Sequence, residues 1–183
     1  MSTIVLKFGG TSVATTDLIK SAASIVKKEY DAGNNVAVVV SAMAGATNSL
    51  IDYVKEINAN LDPEYDVVVS SGEQVTSGLM SMALNEIGVP SRSWQGWQLP
   101  ILTSGPHRNS VIEKINPEKI IEGFKEKQVA VLAGFQGLST NDRITTIGRG
   151  GSDNTAVFLA SALNADRCDI YTDVDGVYTS DPK

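Results

Sequence analysis

Four short apolar runs rich in β-branched residues, Ile4 to Phe8, Val36 to Val40, Val129 to Leu132 and Cys168 to Tyr171, alternate with segments whose apolar residues recur at helical spacing. Runs of this length suit strands covered on both faces. Strands alternating with helices build an α/β domain with a largely parallel sheet and helices on both sides. The first helical segment presents Leu18, Ile19, Ala22, Ala23, Ile25 and Val26 on one face, with Thr16 or Asp17 as its cap and Gly33 as its stop. Asn48 to Ile57 continues the pattern. Glu64 to Ile87 reads as a longer helix ended by Gly88, although Val67 to Val69 would also suit a strand. Pro117 to Lys125 and Asn154 to Leu163 are predicted helices, the second capped by Ser152 or Asp153. Ser91 to Pro106, with Trp94 and Trp97, reads as a strand or an extended crossover.

With 183 residues, 42% hydrophobic and 20% charged, the chain is sized for one domain with a substantial core. The net charge of −6 and the absence of a Lys/Arg block disfavour nucleic acid as a partner. One cysteine, Cys168, and one histidine, His107, are too few for a zinc site or a disulfide framework, and Cys168 is expected in the core. The N-terminus enters a strand without a charged leader, so export is not expected. No apolar run approaches membrane-spanning length, and a cytoplasmic location is the expectation.

Ligands in parallel sheets gather at the C-terminal ends of strands. Three such ends here are rich in small and polar residues: Gly9-Gly10-Thr11-Ser12, Ser41 to Thr47, and Gly134-Phe135-Gln136-Gly137. At the first, Lys7 supplies a full charge while the glycines allow the backbone close to an anion. The same glycines would also serve a plain turn. Asn141 to Asp153 combines a Thr/Ile run suited to a hairpin with Gly148-Arg149-Gly150-Gly151-Ser152-Asp153 opening a helix. Its glycine spacing is not a dinucleotide fingerprint, and the chain has no P-loop. Arg149 could clamp a carboxylate or a phosphate, or be a surface residue. Asp173 to Tyr178 reads as a turn, or as a place where Asp173 approaches a nucleotide's cation or sugar with Tyr178 walling the base. Glu73, in Ser71-Gly72-Glu73, is either a solvated charge or a partner for a substrate ammonium.

Taken in order with Val40 to Met43, Thr47-Asn48, Thr172 to Tyr178 and Asp181-Pro182, these motifs resemble the catalytic domain of aspartate kinases, within the amino acid kinase superfamily. The resemblance implies a three-layer αβα sandwich with a mainly parallel central sheet. It also implies transfer of the ATP γ-phosphoryl group to the side-chain carboxylate of L-aspartate, giving 4-phospho-L-aspartate, the entry to lysine, threonine, methionine and diaminopimelate synthesis. On this reading Lys7 and Asp153 are catalytic. Ser41, Thr47, Glu73, Arg149 and Ser152 bind aspartate, with Arg149 on the α-carboxylate and Glu73 on the ammonium. Lys7, Gly9, Gly10, Thr172, Asp173, Tyr178 and Lys183 surround ATP, which brings Mg2+ with it, and no protein-held metal is implied. Lys183 stands where many relatives have an arginine, keeping the charge but losing the planar fork. Family members continue with further nucleotide-binding segments and ACT regulatory domains. The expectation is therefore one catalytic domain cut within its nucleotide lobe, of doubtful activity alone, from a parent that forms homo-oligomers through regulatory regions. The alternatives are a superfamily member with another phosphoryl acceptor, or a truncated non-catalytic subunit.

Overall fold

The computed structural model describes residues 1–58, 60, 62–148 and 150–172. In chain order the elements are β1 (Thr3–Phe8), α1 (Thr16–Asp31), β2 (Asn35–Val40), α2 (Ala46–Ile57), α3 (Asp62–Val69), α4 (Ser71–Glu86), β3 (Ser91–Trp94), β4 (Ile101–Ser104), β5 (Val111–Ile115), α5 (Glu118–Lys125), β6 (Val129–Ala133), β7 (Gln136–Leu138), β8 (Ile144–Thr146), α6 (Gly151–Ala162) and β9 (Arg167–Tyr171). Five strands form a wholly parallel sheet in the order β3-β6-β2-β1-β9.

Because strand side chains alternate between faces, each central strand feeds two cores. Ile4, Leu6 and Phe8 of β1, with Val36, Val38 and Val40 of β2, pack on Ile19, Ala22, Ala23 and Val26 of α1 and on Met80 and Leu84 of α4. On the opposite face Val5, Ala37, Val39, Ala130 and Leu132 meet Ile120 and Phe124 of α5 and Ala156 and Leu159 of α6. Helices thus cover both faces of a parallel sheet, the three-layer αβα arrangement. Lys7 shares the parity of Val5, so its side chain leaves β1 on the α6 side. It pairs in register with Val39 of β2 and Ile170 of β9.

Several local expectations shift. Thr15, not Thr16 or Asp17, caps α1 by accepting the Leu18 N–H at 3.2 Å. The helix expected over Glu64 to Ile87 is two helices meeting at Ser70, and Val67 to Val69 are helical. The break has a tertiary cause: the Ser70 carbonyl accepts Gln136 Nε2 at 3.1 Å, and the first turn of α4 is drawn against Ala42, where a Cβ on Gly72 would come within 2.8 Å of the Ala42 Cβ. The expected Thr/Ile hairpin is β7 with β8, and it belongs to a second sheet, β5-β4-β7-β8, that the sequence pattern did not announce. Cys168 is only partly buried, because β9 is one of the two edge strands of this sheet among the described residues.

Candidate active site

A cleft of about 470 Å³ opens where the C-terminal ends of the central strands meet the start of α6. Lys7, Ser41, Thr47, Glu73, Ser152 and Asp153 all line it, although they come from β1, the loop after β2, α2, α4 and α6. The residues that line it therefore assemble from widely separated stretches of sequence.

Lys7 is 6% exposed. Its Nζ lies 2.6 Å from Asp153 Oδ1, a contact held by charge more than by hydrogen-bond alignment. Asp153 sits in the first turn of α6, whose start is fixed by Gly150 at φ 71°, a left-handed conformation that glycine adopts without steric cost. Ser152 and Asp153 are consequently inside the helix and are not its cap, which corrects the expected boundary. Their side chains line the cleft. The N-terminal end of a helix favours anions through its N–H groups and dipole.

Glu73 is buried, at 3% exposure, so the solvated reading does not hold. It accepts the Ala42 N–H at 3.0 Å through Oε1, while Oε2 is buried without a partner. Burial pushes its pKa from 4.5 up to about 7, against the opposing pull of the backbone donors from Ala42 and its own N–H. A buried carboxyl with one orphan oxygen in a cleft is suited to a cationic guest, whose charge would favour the ionised form.

Close packing explains the glycines of the neighbouring loops. A Cβ on Gly10 would come within 2.9 Å of the Ala42 carbonyl oxygen, and the Ala44 N–H donates to the Gly10 carbonyl at 3.2 Å, joining the β1 and β2 exits. Gly134 packs equally tightly on Ser152. The Gly9 N–H donates to the Tyr171 carbonyl at 2.9 Å, tying the β1 exit to β9. Gln136 is fully buried and also a tie, accepting the Gly96 N–H at 3.2 Å as well as reaching Ser70.

Gly9, Gly10 and Thr172 lie at the ends of β1 and β9, outside the set of residues that line the cleft. Arg149, Asp173, Tyr178 and Lys183 lie outside the described residues. Two cleft residues fall in none of the motifs singled out in the sequence: Arg108 and Asn109, on the turn between β4 and β5. Their one sequence signal is a polar triplet, His107-Arg108-Asn109, directly after the turn-forming Gly105-Pro106. No helix among the described residues is long and apolar enough to cross a membrane.

Over residues 2–183 the sequence matches the amino acid kinase family. Aspartate kinase of Pseudomonas fluorescens is 53% identical over 186 residues, covering 100% of this chain and 45% of the relative. Aspartokinase of Rickettsia conorii is 47% identical over 187 residues, covering 100% and 47%. The chain thus spans about half the length of the curated relatives it matches. Among solved structures, aspartate kinase from Synechocystis aligns with a TM-score of 0.81 at 42% identity, over 98% of this chain and 30% of that one. E. coli aspartokinase III in complex with aspartate and ADP aligns with a TM-score of 0.83 at 29% identity, over 98% and 51%. Matched along nearly its whole length in sequence and superposed on solved relatives in fold, the chain belongs to the amino acid kinase family.

Proposed function

We propose that this chain carries the acceptor site and part of the nucleotide site of an aspartate kinase, transferring the γ-phosphoryl group of ATP to the side-chain carboxylate of L-aspartate. The observation that carries the reading is one cleft holding the ion pair of buried Lys7 with half-exposed Asp153 together with the orphan oxygen of Glu73. The first suits a transferring anion and the second an amino acid's ammonium. The 53% identical relative named aspartate kinase, and the aspartate and ADP bound by the E. coli protein, support the choice of substrates.

An aspartate side chain is already ionised at neutral pH, so its oxygen attacks the γ-phosphorus without a general base. The bond from that phosphorus to the β,γ-bridging oxygen breaks, ADP leaves with the electron pair, and no proton needs to move. The obstacle is repulsion between two anions, and catalysis consists of alignment and charge neutralisation. Lys7 supplies the positive charge, held in place by Asp153. The first turn of α6 and the Gly10 loop offer backbone dipoles nearby. Glu73 takes the ammonium, and Ser41, Thr47 and Ser152 line the acceptor's path. Arg149 is assigned the α-carboxylate. Thr172, Asp173, Tyr178 and Lys183 are assigned to ATP.

Among the described residues no three His, Cys, Asp or Glu side chains gather that could hold a metal. Mg2+ would come carried on the nucleotide's phosphates, and Asp153, the carboxylate beside Lys7 in the cleft, would be placed to offer it a further ligand. Bound there, Mg2+ would add charge neutralisation at the phosphates. Assembly into a homo-oligomer through regulatory regions outside this chain, and a cytoplasmic location, belong to the same proposal.

Incubating the full-length protein with ATP, Mg2+, L-aspartate and hydroxylamine should produce aspartyl hydroxamate, the trapped acyl phosphate. Product with a different acceptor and none with aspartate would overturn the substrate assignment.

A further inference from the structure

Arg108 borders the cleft, and the chemistry described so far gives it no task. Its backbone lies at φ 66°, in the left-handed region that side-chain-bearing residues rarely occupy. Such a conformation persists only where the surroundings over-determine it. Here the Arg108 N–H donates to both carboxylate oxygens of Asp66, at 3.1 and 3.3 Å. Asp66 is 0% exposed and also accepts Thr146 Oγ1 at 2.6 Å and meets His107 Nδ1 at 2.5 Å. The guanidinium pairs with Asp62 at 2.7 Å and lies over the Tyr65 ring at 4.1 Å. Asp62, Tyr65 and Asp66 are all on α3, so one short helix holds both the backbone and the head group of this residue.

Its position identifies which substrate it faces. The turn carrying Arg108 is joined to β8 by the Ser110 N–H donating to the Thr146 carbonyl at 3.0 Å. β8 pairs with β7, which directly follows β6. In the sheet, β2 and β1 separate β6 from β9, whose exit carries Thr172. Arg108 therefore stands on the acceptor side, near the β6 exit, and Asn109 beside it packs so closely on Gly148 that no Cβ would fit there. An amino acid with its reacting carboxylate at Lys7 and its ammonium at Glu73 has one charge left to read, its α-carboxylate. That group offers about four lone-pair sites, enough for two arginines.

We propose that Arg108 is a specificity-determining residue for the acceptor, its guanidinium binding the α-carboxylate, and that Asp66 and His107 are positioning residues that hold it there. The proposal rests on the amino-acid acceptor assigned above.

The test is steady-state kinetics of the full-length protein and its Arg108→Gln variant with two acceptors. One is L-aspartate. The other is its α-amide, which keeps the reacting carboxylate and the ammonium but lacks the charge Arg108 reads. Loss of one charge-assisted contact should raise the aspartate KM about tenfold. In the same variant kcat and the KM for ATP should stay within about twofold, and the α-amide should react as before, as expected for lost ground-state binding. Discrimination between the two acceptors then narrows about tenfold. Arg108→Lys should recover part of the loss, and His107→Gln should show the same selective pattern more weakly. An unchanged aspartate KM, or equal losses for both acceptors, overturns the proposal. A wild-type protein that does not phosphorylate aspartate refutes the underlying function, whereas an active wild type with an indifferent Arg108→Gln variant refutes this inference alone.

Discussion

Glu73→Gln should make the protein more stable at alkaline pH while removing its grip on the substrate. The Glu73 carboxyl is 3% exposed, and desolvation carries its pKa from 4.5 to about 7. Between those values the folded protein holds a proton that the unfolded chain has released, so stability falls as pH rises from about 4.5 to about 7 and levels off above. At about 1.4 kcal/mol per pH unit, the full fall is about 3 kcal/mol. Glutamine does not titrate and can still accept the Ala42 N–H. Its amide NH2 would occupy the place of the orphan Oε2, an unmade hydrogen bond costing about 1 kcal/mol. The variant should therefore be about 2 kcal/mol more stable than wild type at pH 8 and about 1 kcal/mol less stable at pH 4. Urea denaturation followed by tryptophan fluorescence across that range measures this, and subtracting the two profiles cancels every titration the proteins share. A difference independent of pH would refute the reasoning. Affinity for L-aspartate should run the other way, rising in wild type up to about pH 7 as Glu73 ionises and staying weak in the variant throughout.

Lys7→Ala should lower turnover by about two to three orders of magnitude, because its charge is needed most in the transition state. Aspartate affinity measured by calorimetry should change far less, and an unchanged kcat would remove Lys7 from the mechanism. Gly72→Ala would force a Cβ to within 2.8 Å of the Ala42 Cβ, and the overpacking should cost about 1 to 3 kcal/mol. Because the Ala42 N–H anchors Glu73, the same variant should also bind aspartate more weakly. A melting temperature equal to wild type would show that the loop after β2 yields freely.

The central strands were legible because burial on both faces leaves a near-continuous apolar run, and β1, β2 and β6 fall within a residue or so of it. Lys7 stood out for the complementary reason, as a charge inside such a run. Elements set by distant contacts were not legible. Nothing local in Glu64 to Ile87 marks Ser70 as a break, since the partners that impose it, Gln136 and Ala42, lie far along the chain. β4 and β5 of the second sheet are short strands whose exposed positions mix Leu102 and Val111 with Ser104, Glu113 and Lys114, a pattern that loops share. The burial of Glu73 left a fainter trace: Thr76, Ser77 and Met80, three, four and seven residues on, form the buried stripe of α4. The Asp66 anchor of Arg108 joins residues 42 apart, and neither sequence segment alone points to the other.

Lys7 reaches the cleft only because it occupies an odd position in a strand hydrogen-bonded on both sides. Moving β1 by a single residue against β2 and β9 would turn the ammonium toward α1 and α4, bury it among Ile19, Val26 and Met80, and push Leu6 or Phe8 into the cleft in its place. A charge stranded in that core would cost several kcal/mol. The lysine therefore acts as a register mark for the sheet: a mispaired strand forfeits stability and the cleft's positive charge together, so the population that has folded is the population in which Lys7 stands beside Asp153.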